Sequence, residues 1–234
     1  MENSPIDLQE LRARLGRSGL VMVGDFIFEP EHVIAGRESL IGSRGLLIGN
    51  AGPDMWRMFR QSSEFDDGEV DPMNRWTARK LGKLAAETSS SMIFPFEKPY
   101  WPFQRFLKSA ADLRQSPLGL YIHAEYGLWH GLRGVLIVAR DRELIDAPGQ
   151  TNSNADSVDH PCVSCDDKPC LTACPANAFF GDSLNVGACF KHIDSKSDPD
   201  CMVLGCASRS ACPVGKEHTY DIEQIRFHMN AYRF

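Results

Sequence analysis

Apolar positions along this chain follow helical and strand periods in alternation. Ile6, Leu8, Leu11 and Leu15 fit a helical face, predicting a helix over Ile6–Arg17 that Gly19 stops. Leu20–Phe28 reads as a strand closed by Pro30, and Gly45–Gly49 as a short buried strand. Asn50–Pro53 is a turn, with Pro53 suited to the first turn of a helix carrying Trp56 and Phe59. A longer helix starts at Asp71-Pro72, with Asp71 as N-cap and Met73, Trp76, Leu81 and Leu84 as its apolar face. Ser91–Phe96 is strand-like, and Trp101–Leu113 predicts a helix with Phe103, Phe106 and Leu107 inward. Two further β-like pieces, Leu118–His123 and Arg133–Ala139, flank the segment AEYGLWHGL. A polar stretch follows, and a helix over Asp221–Tyr232 closes the chain. This alternation predicts an α+β domain over residues 1–145, a linker over 146–161, and a second domain over 162–234.

Composition narrows the class. The 234 residues are 43% hydrophobic and 24% charged, as in an ordinary globular protein. The net charge of −6 argues against a nucleic-acid partner. No stretch approaches the ~20 apolar residues of a membrane span, and Met1–Leu20 has no apolar core of signal-peptide type. A cytoplasmic protein without membrane contact is expected. Glycine fingerprints for dinucleotides, P-loops, HExxH and GxSxG are missing from the sequence. Acidic residues crowd the C-terminal third, at Asp166, Asp167, Asp194, Asp198 and Asp200. They suit simple solvation, or docking to a basic redox partner protein.

The C-terminal third also carries the chemistry. All 8 cysteines lie between Cys162 and Cys212. They run Cys162, Cys165, Cys170 and Cys174-Pro175, then Cys189, then Cys201, Cys206 and Cys212-Pro213. Two runs ending in Cys-Pro are the arrangement of two-cluster iron–sulfur proteins, where the cysteine before proline ligates the other cluster. The order predicts two [4Fe–4S] clusters: one on Cys162, Cys165, Cys170 and Cys212, the other on Cys174, Cys189, Cys201 and Cys206. Cys165 to Cys170 and Cys206 to Cys212 are each two residues longer than the usual spacing. Disulfides would need an oxidising compartment. Two structural zincs could also use eight cysteines, but the Cys-Pro endings favour iron–sulfur.

The segment LGLYIHAEYGLWHGLRGVLIVARD resembles the core of the CblC-type vitamin B12-processing proteins, through His123, Tyr126, Gly127, Trp129, Arg133 and Gly134, with Ala124 in place of that family's proline. Asp71-Pro72 and GLLIGNAGPDMW are similar to that family's helix and early strand–turn–helix. The cysteine order is similar to that of epoxyqueuosine reductase, which joins a related cobalamin-binding domain to two [4Fe–4S] clusters. These resemblances imply a flavin-reductase-related, CblC-like sheet-and-helix domain followed by a ferredoxin-like two-cluster module. They further imply a corrinoid, cobalamin, bound near His123, Tyr126, Trp129 and Arg133, with Tyr126 and Trp129 stacking on the macrocycle. Glu97 and Glu125 are the nearest acidic side chains to a proton-donor role, and neither is assigned one. Lys216, His218 and Tyr220 are expected near the second Cys-Pro loop.

The function these features predict is an oxidoreductase passing single electrons from two clusters to a corrinoid held by the first domain. The alternative is a ferredoxin-like electron carrier whose N-terminal domain only docks a partner. A reductase of an RNA base is a third reading, against which the acidic balance counts.

Overall fold

The computed structural model describes residues 4–110, 113–146, 160–180, 183–195 and 200–232. The expected linker over 146–161 falls almost wholly outside them. The chain forms two compact units, Met1–Asp112 with Gly131–Asp156 and Leu113–His130 with Ser157–Phe234. Residues 113–130, which the sequence groups with the N-terminal domain, therefore pack among the cysteines.

The first unit is built on a four-stranded sheet. Its strands are β1 (Leu20–Ile27), β2 (Arg44–Ala51), β3 (Ser91–Ile93) and β4 (His130–Val138), in the order β1–β2–β4–β3. β1 and β2 run antiparallel from Leu20↔Asn50 to Ile27↔Arg44, with a bulge between Met22 and Gly24. Leu46, Leu47 and Ile48 are all fully buried, as are Val135, Leu136 and Val138. Such unbroken burial means both faces of these strands are covered. Each side chain so enclosed contributes about 1.5–3 kcal/mol of hydrophobic stabilisation.

Helices α1 (Leu8–Gly16), α2 (Asp54–Phe59), α3 (Pro72–Glu87) and α4 (Phe103–Ala110) supply the cover. α1 begins two residues later than the sequence period suggests, because Ile6 and Asp7 pair in parallel with Leu144 and Ile145. Asp7 then caps the helix, accepting from the backbone N–H of Gln9 at 2.8 Å and Glu10 at 3.1 Å. In α3, Met73, Trp76, Leu81 and Leu84 are buried as the pattern predicts. Asp71 occupies the N-cap position in a left-handed conformation, φ 51°, and makes no side-chain capping bond. The expected side-chain cap is therefore not made, and Pro72 at the start of the helix has no N–H to satisfy.

The second unit has little sheet. Arg114–Gln115 pairs antiparallel with Tyr121–Ile122, and Phe179–Phe180 with Ser183–Leu184. His123 and Gly127 exchange both backbone hydrogen bonds, at 2.9 Å each. The described residues of this unit also form the helices α5 (Pro169–Thr172), α6 (Val186–Ser195), α7 (Cys201–Leu204), α8 (Ala207–Ala211) and α9 (Ile222–Tyr232). Among the described residues no helix is long and apolar enough to cross a membrane.

Candidate functional site: two cysteine-lined cavities

Short helical turns place the cysteines. Lys168, at φ 38°, turns the chain into α5, which carries Cys170. Cys189 lies on α6. Cys201 opens α7, whose N-terminus is capped by Asp200 through the backbone N–H of Met202 at 2.9 Å. Cys206 and Cys212 are the two caps of α8. The extra residues in Cys206-x5-Cys212 thus form a helical turn rather than a looser loop.

Two cavities result. One, of about 20 Å³, is lined by Cys162, Cys165, Cys170 and Cys212. The other, of about 320 Å³, is lined by Cys174, Cys189, Cys201 and Cys206. Each cavity thus takes three cysteines from one stretch and its fourth from the Cys-Pro of the other. Every one of these thiols is free of disulfide bonding. Electrostatics give the same grouping. Burial, then Cys212, Cys170 and Cys165, push the Cys162 thiol up to about 11. Burial, then Cys206, Cys174 and Cys201, raise Cys189. Negative charge on one thiolate disfavours the next, so each quartet needs a cationic core to ionise fully. Among the described residues no three His, Cys, Asp or Glu side chains close on a single ion position.

Backbone amides reach several sulfurs. Ala178 N–H donates to Cys174 Sγ at 3.4 Å, and Ala207 N–H donates to Cys201. Cys170 and Cys212 pack with Leu118, Ile122 and Leu128 in one buried cluster. His160 fixes the start of the first run. Its Nδ1 accepts from Cys162 N–H at 3.0 Å and its Nε2 donates to the Gln115 carbonyl at 3.1 Å.

Arg209 was not singled out by the sequence, yet it organises this unit. Its Nε and Nη2 both donate to the Leu128 carbonyl, at 3.1 and 2.7 Å. Its guanidinium lies 4.5 Å from the Trp129 ring centroid and 4.7 Å from that of Tyr220. The signal available in the sequence was the lengthened Cys206-x5-Cys212 spacing that houses it. We expect Arg209→Lys to lose both the paired hydrogen bonds and the ring contact, costing about 1–3 kcal/mol. An unchanged urea midpoint in that variant would refute the role.

The residues assigned to a corrinoid divide between the units. Arg133 lies in the sheet unit, where its Nε donates to Oδ1 of the fully buried Asn50 at 2.9 Å. His123, Tyr126 and Trp129 belong to the cysteine unit. Trp129 is 2% exposed, between Arg209 and an edge-on Tyr220. Its ring is enclosed by these neighbours. Tyr126 stacks on His123 at 4.3 Å and meets the edge of His218 at 5.0 Å. Nδ1 of His123 accepts from the N–H groups of Glu125 and Tyr126, fixing its ring locally. His130 nearby donates Nε2–H to the Tyr121 carbonyl at 3.0 Å, and burial holds its pKa down to about 4. Lys216, His218 and Tyr220 are not among the residues lining either cavity.

No protein-family model matches this chain, and no curated protein matches it at a significant level. Solved structures do. The structure of epoxyqueuosine reductase from Streptococcus thermophilus superimposes with a TM-score of 0.51 at 18% identity, covering 89% of this chain and 66% of that one. Epoxyqueuosine reductase crystallised with an epoxyqueuosine-modified tRNA-Tyr stem loop gives 0.50 at 14% identity, covering 92% and 67%. A selenomethionine-labelled epoxyqueuosine reductase gives 0.51 at 14%, covering 94% and 68%. This chain thus spans about two thirds of the length of those proteins, and at such identities what it shares with them is their mixed α+β fold.

Proposed function

We propose that this protein is a two-cluster iron–sulfur oxidoreductase. The observation that carries the proposal is the pair of cavities, each lined by four free cysteines drawn from both runs. The donor chemistry fits [4Fe–4S] clusters. A zinc ion gathers its sulfurs at about 2.3 Å, whereas a cubane offers four separate irons to thiolates spread around it. The likeness in fold to epoxyqueuosine reductases supports the same reading. Clusters held here would store and pass single electrons. The chain's own part is to supply thiolates, donate amide hydrogen bonds to Cys174 and Cys201, and exclude water with Leu118, Ile122 and Leu128. Anaerobic reconstitution should load about eight irons per chain, with matching sulfide. Tightly bound zinc without sulfide would overturn the proposal.

For the electron acceptor, the sequence resemblance supports a corrinoid or a comparable planar cofactor in the sheet unit. Arg133 is the residue we assign to it, its guanidinium oriented by Asn50. Titration with Co(II) cobalamin should show saturable binding, weakened in Arg133→Ala with iron content unchanged. The rival is the electron carrier, and a specific observation favours it: Trp129 is enclosed, while His123 and Tyr126 stack on each other. Absence of cobalamin and flavin binding would decide for the carrier.

A further inference from the structure

The reading above leaves a buried hydroxyl in the wall of the larger cavity unexplained. Ser208, on α8 between Cys206 and Cys212, is fully buried, and its hydroxyl has no hydrogen-bond partner among the described residues. A hydroxyl shut away from water with no partner is costly, so native interiors rarely keep one without an unseen partner. Ser208 also lines the larger cavity, beside Cys174, Cys189, Cys201 and Cys206. In the wall of the smaller cavity the Ser116 hydroxyl is tied to the backbone, accepting from the Leu118 N–H at 3.3 Å, so it is not without a partner as Ser208 is. Fixed cations do not separate the two sites, since Lys168 stands in one wall and Arg209 in the other.

Building on the cluster reading, we infer that the Ser208 hydroxyl donates a hydrogen bond to a sulfur of the group held by Cys174, Cys189, Cys201 and Cys206, and raises the reduction potential of that site alone. Reduction adds one electron and breaks no bond. The added negative charge rests largely on sulfur, where a positioned O–H stabilises it more than it stabilises the oxidised form. Ser208 therefore tunes electron transfer by direct contact with the bound group.

The test uses the full chain, reconstituted anaerobically and titrated with dithionite and mediators while electron paramagnetic resonance follows each site. Cys189→Ser identifies the signal of the second quartet. Ser208→Ala should move the midpoint of that signal to more negative potential and leave the first signal unchanged. Ser208→Thr and Ser208→Val have nearly equal bulk and differ in the hydroxyl; threonine should keep the wild-type midpoint and valine should shift it as alanine does. Equal midpoints for threonine and valine at full iron content would overturn the inference while the cluster reading stands. So would equal shifts at both sites. A wild-type chain that takes up no iron would overturn both.

Discussion

Replacing Gly127 or Gly215 with alanine should dismantle the smaller cysteine cavity. The two glycines cross back to back, at φ 56° and 69°. A Cβ on Gly127 would stand 2.0 Å from the Val214 carbonyl oxygen, and one on Gly215 would stand 2.3 Å from the Tyr126 carbonyl carbon. Both obstacles are main chain, so no rotamer relieves them. Left-handed strain of about 1–2 kcal/mol adds to forced repacking of about 1–3 kcal/mol. The combined loss, roughly 2–5 kcal/mol, is a large fraction of the stability of a small domain. Val214 and Gly215 directly follow Cys212-Pro213, so the damage falls on the loop that carries Cys212. Urea unfolding and iron retention check this. Gly82→Ala is the control: it lies inside α3 with nothing within 4 Å of its Cβ, and should gain about 1 kcal/mol. A Gly127→Ala variant with a normal midpoint and full iron would refute the crossing.

The second large effect concerns the exchange of cysteines between runs. Cys174→Ser should remove the cluster signal of Cys189, Cys201 and Cys206, although Cys174 is far closer in sequence to Cys170. Cys212→Ser should remove the signal of Cys162, Cys165 and Cys170. Each variant should lose about half the iron of the full chain. Removing a ligand also unties the local fold, so both should unfold at lower urea. Loss of the sequence-adjacent signal in either variant would reverse the pairing that the cavities display.

Much of this was legible locally. The buried strand at Leu46–Ile48 and the apolar face of α3 follow from runs and periods that a helix or a covered sheet requires. The cysteine quartets followed from the two Cys-Pro runs, because a short loop cannot surround a cubane by itself. The placement of Leu113–His130 was not legible. Alternating apolar residues such as Leu118, Leu120 and Ile122 look the same whether they meet a sheet or a cysteine loop. What assigns them is long-range: the Gly127–Gly215 crossing and the grip of Arg209 on the Leu128 carbonyl. The enclosure of Trp129 was not legible for the same reason. An aromatic at a strand end is equally a ligand platform or a packing group until its neighbours are known.

Because Leu113–His130 furnishes Leu118, Ile122 and Leu128 as a wall of the smaller cavity, the cysteine-bearing part is not a cassette. It cannot be cut out at one point, or joined to another protein at one point, and keep its shape. A fragment beginning after the polar stretch would carry all 8 cysteines and still lack half the enclosure of Cys170 and Cys212. Ancestry by simple end-to-end fusion of a free-standing ferredoxin is therefore a poor account of this chain. Its two units are interleaved, and insertions or losses between residues 113 and 130 are constrained by the cysteines nearly a hundred residues downstream, at Cys212 above all.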